Sequence, residues 1–362
     1  MKLCVILLSL LTVVSCTSTE KIYVGTGSPD GMFLIELNEQ EGTLKKLYQQ
    51  GDVKSPGFLT FSPDKKFLYC VAGGNKIRAY KIEKDGSLSF LNEKMSTGNG
   101  PCHIEISKTG KAVVVANYGS GDTTVVSVAN DGSLNGEPRN HSHKGFDSPS
   151  KSNRQAGPHA HNAYMSPDGK YCFVSDLGLD KIVTYKFDEN YEKLTLNNPP
   201  FAVVATGAGP RHFTFHPNQK FAYVINELDS TVSAFHYAGE GKLNLKQTLT
   251  TKPKGWTEYN NCADIHVHPN GKFLYGSNRG NNSIVIYSIN QQDGKLTLVG
   301  HESTRGNWPR NFAISPSGEF LLVANRKTND VQVFKIDTAT GKLMHKSSLE
   351  LPAPICLKFF SK

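Results

Sequence analysis

One phrase, a strand, a Pro-containing turn and a second strand, recurs along nearly the whole chain, and it constrains the fold more tightly than any other feature. Its turn reads Phe61-Ser62-Pro63-Asp64, Ile106-Ser107-Lys108-Thr109-Gly110, Met165-Ser166-Pro167-Asp168-Gly169, Phe215-His216-Pro217-Asn218, Val267-His268-Pro269-Asn270-Gly271 and Ile314-Ser315-Pro316-Ser317-Gly318. Pro presets φ, and Asp, Asn or Gly accepts the turn geometry, so each copy predicts a hairpin between the first two strands of a repeat. The segments that follow, such as Lys66-Phe67-Leu68-Tyr69-Cys70-Val71 and Lys272-Phe273-Leu274-Tyr275, are rich in aromatic and β-branched residues and predict strands. A second marker, Gly-x-Leu, stands at Gly42, Gly86, Gly132, Gly241, Gly294 and Gly341, with Glu192-Lys193-Leu194 as a variant. A period of about 45 to 60 residues made of strands alone is the mark of four-stranded propeller blades.

Seven Gly-x-Leu markers against six turn phrases leave one blade without its first strand. The chain opens on a second-strand pattern, Lys21-Ile22-Tyr23-Val24-Gly25, and ends on a lone first-strand pattern, Pro354-Ile355-Cys356-Leu357-Lys358-Phe359. The prediction is an all-β, seven-bladed β-propeller of four-stranded antiparallel blades, its ring closed by the C-terminal strand pairing into the N-terminal blade. Residues 17–362 are read as one domain, since no composition shift divides them. A β-sandwich, or a pair of small β domains, would not leave complementary half-blades at the two ends. The stretch Asn135 to Pro158, rich in Gly, Ser, Pro and Lys, is read as a long loop over one face.

Residues 1–16 carry a different message. Met1-Lys2 and the apolar run Leu3 to Val14 are too short to span a bilayer permanently, and Val13-Val14-Ser15-Cys16 resembles the bacterial lipoprotein signal, cut before Cys16 and lipidated there. This predicts an exported protein that faces the periplasm and meets the membrane only through an N-terminal lipid anchor. Cys70, Cys102, Cys172, Cys262 and Cys356 are scattered through the repeats with no CxxC pair, so neither a disulfide framework nor a zinc site is predicted. Forty Lys and Arg against 32 Asp and Glu leave a formal net charge of +8. Many of the lysines sit in the turns and Gly-Lys-Leu markers, a solvated rim without the aromatic interleaving of a nucleic-acid reader. No P-loop, dinucleotide fingerprint or Gly-x-Ser-x-Gly elbow is present, and no cofactor is predicted. Oligomeric state is left open.

Aligning the first strands on their turns puts Gly57, Cys102, His161, Arg211, Ala263, Arg310 and Ile355 at one equivalent position. Phe58, His103, Asn162, His212, Asp264, Asn311 and Cys356 fall at the next. First strands line a propeller's channel, so these two rungs encircle its mouth. The second strands return to the same face and end in Asn117-Tyr118, Asp176-Leu177, Asn226-Glu227, Asn278-Arg279 and Asn325-Arg326. Two phase arguments therefore aim His161, Arg211, Glu227, Arg279 and Arg310 at one concave pocket. Unpaired arginines around a mouth invite an anion, and the loop carrying Arg154 and His159 arrives at the same rim. His159-Ala160-His161 puts two imidazoles on one strand, but no third ligand stands in phase, so no metal is assigned.

Gly207-Ala208-Gly209-Pro210-Arg211-His212, Asn226-Glu227-Leu228, Ala263-Asp264-Ile265-His266 and Trp308-Pro309-Arg310 resemble the seven-bladed propeller lactonase family, as do Arg154-Gln155, Pro158-His159-Ala160-His161-Asn162 and Asp176-Leu177-Gly178-Leu179-Asp180. The resemblance covers essentially the whole chain after the signal. It implies an ester hydrolase opening a sugar δ-lactone, 6-phosphogluconolactone or a related gluconolactone, with an anionic or hydroxyl-rich small molecule as partner. Related fungal propellers that interconvert a carboxymuconate and its lactone imply catalytic roles for His161, Arg211, Glu227 and Arg279. Arg154, His159, His212 and Arg310 are then read as substrate-binding. Either Glu227 or His161 takes the proton from water. A binding propeller without turnover and a carboxymuconate-type cycloisomerase are the alternatives. The export signal separates this chain from a cytosolic sugar-phosphate pathway.

Overall fold

The structure is a computed structural model that describes residues 19–148, 150, 152–188 and 193–360. The predicted signal segment and Cys16 lie outside the described residues. Among those residues, twenty-eight strands form seven four-stranded antiparallel sheets. The first sheet runs in the order β28 (Pro354–Phe359), β1 (Thr19–Thr26), β2 (Met32–Asn38), β3 (Thr43–Gln50). The others follow the chain: β4 (Phe58–Phe61) to β7 (Leu88–Met95), β8 (Pro101–Ile106) to β11 (Leu134–Ser142), β12 (Ala160–Met165) to β15 (Lys193–Val203), β16 (Pro210–Phe215) to β19 (Leu243–Thr250), β20 (Asn261–Val267) to β23 (Leu296–Ser303), and β24 (Pro309–Ile314) to β27 (Leu343–Glu350).

Closure is as predicted. Val24 pairs with Leu357 and Tyr23 with Lys358, so β1 gains a partner on the edge that would otherwise be bare. Ile22, Val24 and Leu357 then pack against Leu322 and Val331 of the last blade, which buries the seam between chain ends in apolar contact.

The two recurring sequence signals interlock neighbouring blades. The second-strand tyrosines Tyr23, Tyr69, Tyr223 and Tyr275 are buried, and each hydroxyl donates to the carbonyl of the Gly-x-Leu glycine in the next blade: Gly86, Gly132, Gly294 and Gly341, at 2.6–3.0 Å. Gly132 shows why that marker is glycine: its φ is +84°, and a Cβ there would sit 2.2 Å from the Phe67 ring. His216 and His268, which replace Ser in two turn phrases, donate from Nε2 to the carbonyls of Gly271 and Gly318 in the following blade.

One sequence expectation is corrected. The stretch read as a loop from Asn135 to Pro158 begins as regular strand, since β11 runs to Ser142 and pairs with β10 (Asp122–Val128). The segment after it reaches the rim, and among its described residues the one regular turn is Asn153–Gln155. Polar composition misled here because an outermost strand exposes most of its side chains, which leaves it little apolar signal.

Candidate active site

Strict alternation along a strand would send adjacent residues such as Arg211 and His212 to opposite faces. Five of the seven first strands escape this with a one-residue β-bulge. The ladder skips one residue between Pro101 and His103, Ala160 and Asn162, Pro210 and His212, and Pro309 and Asn311. The skipped residues are Cys102, His161, Arg211 and Arg310, and in the closing strand Ile355. A bulge leaves its extra residue unpaired and re-aims its side chain. Both aligned rungs can therefore face the channel, and Gly57, Phe58, Cys102, His161, Arg211, His212, Arg310 and Ile355 together line its inner pocket, about 120 Å³ in volume.

The lower rung is a hydrogen-bonded floor. Asp264, which is fully buried, accepts His212 Nδ1 at 2.6 Å, His266 Nε2 at 2.9 Å, the Asn311 amide and the Phe312 backbone N–H. Arg211 Nη1 donates to His212 Nε2 at 3.1 Å. A guanidinium only donates, so His212 is a neutral Nδ1–H tautomer that passes the Asp264 anchor up to Arg211. Burial, then Arg211, hold the His212 pKa down to about 4. His212 thus supports Arg211 as well as lining the inner pocket. Cys356, aligned with this rung, instead packs into the apolar layer between blades with Leu59 and Cys70.

Above the floor, Glu227 gathers three arginines from three parts of the chain. Its Oε2 accepts Arg211 Nε at 2.9 Å and lies in an ion pair 2.8 Å from Arg279 Nη2, while Oε1 accepts Arg154 Nη2 at 2.7 Å. Burial alone would raise this carboxyl, but Arg279, Arg211 and Arg154 outweigh it and bring its pKa to about 2. Arg211, Arg279 and Arg154 are therefore paired, contrary to the expectation of free guanidinium groups. Arg310 is different: it is half-buried and makes no ion pair or hydrogen bond among the described residues. Burial and the charges of Arg211, Arg279 and Arg326 push its pKa down to about 9, so its cation is strained in a way an incoming anion relieves.

The second strands β17 (Phe221–Asn226) and β21 (Phe273–Arg279) deliver Glu227 and Arg279 by one device. The preceding asparagine is buried and tied to its own hairpin or its neighbour, as Asn226 is to Thr231 and Ser233 and Asn278 is to Thr251 and Ser283, so that Glu227 and Arg279 project to the mouth. The loop bearing Arg154 is pinned through Gln155, whose amide donates to Leu177 O and Asp180 Oδ1. Asp180 also accepts the backbone N–H groups of Gly207 and Gly209, which links that loop to the strand carrying Arg211.

The outer cavity, about 350 Å³, is lined by Cys102, Tyr118, Arg154, His161, Glu227, Tyr259, Asn261, Arg279, Trp308 and Arg310. That volume lies in the range of small-molecule sites. His161 faces both cavities. Burial, then Arg211, His212 and Arg310, keep its pKa well below the ordinary imidazole range, so its ring is neutral. His159 is not among the residues lining either cavity; its ring stacks on Tyr118 at 4.7 Å and its Nδ1 donates to the Tyr118 carbonyl. It braces that wall. Cys102 is the one cysteine of the described set that is not fully buried; it sits 3.8 Å from His161 Nδ1, with burial raising its thiol to about 12, and is no nucleophile. Tyr118, Tyr259, Asn261 and Trp308 were not assigned from sequence, although Tyr118 stood at a second-strand end and Trp308 in the Trp308-Pro309-Arg310 motif, signals that could have found them. Among the described residues no group of His, Cys, Asp and Glu is placed to hold a metal ion.

Comparison with known proteins agrees over nearly the whole chain. The profile of the family described as "Lactonase, 7-bladed beta-propeller" matches residues 18–359. A 6-phosphogluconolactonase of Bacillus subtilis is 35% identical over 346 residues, 93% of this chain and 97% of its own. A 6-phosphogluconolactonase of Formosa agariphila is 39% identical over 294 residues, 78% of this chain and 82% of its own. The solved structure of a periplasmic gluconolactonase from Pseudomonas aeruginosa superposes with a TM-score of 0.88 at 30% identity, covering 95% of this chain and 99% of that one.

Proposed function

Because the chain belongs to the seven-bladed β-propeller lactonases, which are carboxylic ester hydrolases, we propose that it opens the ring ester of glucono-δ-lactone or its 6-phosphate at the junction of the two cavities. The observation that carries this reading is the meeting there of a neutral His161 and a half-buried Arg310 without a counter-ion among the described residues, beside arginines held by Glu227. Four guanidinium groups against one carboxylate suit an anionic or oxyanion-forming substrate.

His161 takes a proton from water as its oxygen bonds to the lactone carbonyl carbon. Arg310 and Arg211 donate to the oxyanion that develops, and collapse of the tetrahedral intermediate breaks the ring C–O bond. The leaving alkoxide takes the proton back from the imidazolium, giving the open hydroxy acid. Negative charge on the reacting carbonyl offsets the arginine field, so the imidazolium becomes easier to form when it is needed. Glu227 is a weak base with a pKa near 2 and both oxygens occupied; it serves as the clamp that orients Arg211 and Arg279.

The same proposal includes export. On this reading Cys16 is lipidated at the new N-terminus; the resemblance of Val13-Val14-Ser15-Cys16 to a lipoprotein signal supports it, and a similar protein is named as periplasmic. Mass spectrometry of the mature N-terminus tests this, since an unmodified Cys16 removes the anchor. For the chemistry, pH-stat hydrolysis of both gluconolactones is expected well above the spontaneous rate, with Arg211→Ala slower by a hundredfold or so. Equal rates for wild type and variant would refute the assignment of Arg211, and no hydrolysis above background would remove the reaction.

A further inference from the structure

The repeat contains its own control for one residue of the mouth. Five blades enter the first strand through a residue before proline with positive φ, and in four of them that residue is small: Ser55 at φ +48° before Pro56, Gly100 at φ +64° before Pro101, Gly209 at φ +66° before Pro210 and Ala353 at φ +40° before Pro354. In the blade of β24 the same place holds Trp308, at φ +69° before Pro309. A bulky aromatic in the left-handed region is an outlier that the surroundings must enforce. The Trp308 N–H donates to Asn282 Oδ1 at 2.9 Å, and its carbonyl accepts the Arg326 N–H at 3.1 Å. Where Gly, Ser or Ala serves the turn in the other blades, this one carries an indole on a backbone that a bulky side chain disfavours, and the reason lies in where the ring goes.

It goes to the outer cavity. The indole stands parallel to the Tyr259 ring, 6° between planes and 6.4 Å between centroids, with Arg279 at 5.2 Å and Lys327 at 3.8 Å from its centroid. Asn261 donates to the Tyr259 hydroxyl at 2.6 Å and fixes that ring, although Tyr259 is 61% exposed. Neither ring lines the inner pocket. Cys102, His161 and Arg310 line both cavities, so an ester reacting beside His161 leaves the rest of its molecule to extend along this aromatic wall.

Resting on the lactonase reading above, we propose that Trp308 and Tyr259 form a sugar platform that binds the C–H face of the distal part of a polyhydroxylated δ-lactone, and that this pair sets specificity for sugar lactones over short ones. Aromatic surface that adjoins the cations of Arg279 and Lys327, which lie over the indole, and the Asn261 amide on the Tyr259 hydroxyl matches a pyranose-like ring, which is apolar above and below and polar around its edge.

The test compares Trp308→Gly, the residue two other blades carry at this position, with Trp308→Phe as a conservative partner. For glucono-δ-lactone, Trp308→Gly is expected to raise KM about tenfold or more with kcat within about threefold, and Trp308→Phe to recover part of the loss. γ-Butyrolactone, too short to reach the wall, should be hydrolysed by both variants as by wild type. Unchanged KM for the gluconolactone, or equal losses on both lactones, would overturn the platform. Binding is read separately from turnover. The chain has two tryptophans, so Trp256→Phe leaves Trp308 as the only indole. Titration with sodium gluconate should then change its emission saturably, and Tyr259→Ala should weaken that response. A saturable signal in a protein that hydrolyses no lactone keeps the platform and removes the lactonase reading, whereas a flat titration in an active enzyme removes the platform alone.

Discussion

Replacing Glu227 by Gln tests whether that residue is a clamp or a base. Its two oxygens hold Arg211 and Arg279, both nearly fully buried, and Arg154, whose side chain is 48% exposed. Breaking a buried ion pair by removing one partner costs about 3–5 kcal/mol, and the Arg154 contact adds little because solvent screens it. The linkage argument arrives at a similar size. A pKa lowered from 4.5 to about 2 corresponds to about 3 kcal/mol at 1.36 kcal/mol per unit. Because the folded pKa is the lower one, this stability is complete above pH 4.5 and is lost as pH falls toward 2, with more than half gone by about pH 3. For a chain of this length the unfolding entropy is about 0.7 kcal/mol per kelvin, so melting at pH 7 should fall by roughly 4–7 °C in Glu227→Gln. Differential scanning fluorimetry between pH 7 and pH 3 should show the gap to wild type narrowing with acid. Sulfate at pH 7 should recover more stability in the variant than in wild type, since the orphaned arginines accept an anion. The variant should also keep residual hydrolysis with the acid limb of wild type, because that limb belongs to His161. An unchanged melting temperature, a gap independent of pH, or loss of that limb in Glu227→Gln would refute the reasoning.

His161→Gln should lower kcat/KM for gluconolactone by about 10²–10⁴ and abolish the acid limb, which in wild type lies below pH 6.5 because burial and Arg211 keep the free imidazole neutral; a variant with the limb intact would move the base elsewhere. Gly132→Ala places a Cβ 2.2 Å from the Phe67 ring at φ +84°, so destabilisation by about 2–4 kcal/mol is expected, read as a drop of roughly 3–6 °C in melting temperature without change in KM. Tyr223→Phe removes only the donor to Gly294 O and should cost about 1 kcal/mol, measured as a small shift in urea midpoint at constant slope. Ending the chain after Leu351 removes β28 and bares the β1 edge; size-exclusion chromatography should show aggregation, and a monomer melting like wild type would contradict the closure argument.

The architecture was legible because it is written in local chemistry repeated many times. Turn phrases, alternating strands and the mismatch between six turns and seven Gly-x-Leu markers require only neighbours in sequence, and the unpaired Pro354–Phe359 pattern pointed to its partner at the other end. The same alignment brought His161, Arg211, Glu227, Arg279 and Arg310 to one mouth. The outer strand β11 was hidden because its side chains face water, and the left-handed backbone of Trp308 because nothing in a single Trp-Pro pair announces positive φ.

Amino-acid order alone thus settled how many blades there are, how the ring shuts and which ionisable groups share an opening, because those follow from periodicity. Tertiary structure alone decided which of those groups are free. Three arginines neutralise part of their charge on Glu227, Arg310 has no counter-ion among the described residues, and a skipped ladder position turns His161 and Arg211 inward, because ion pairing and bulge placement depend on distances between blades that lie far apart along the chain.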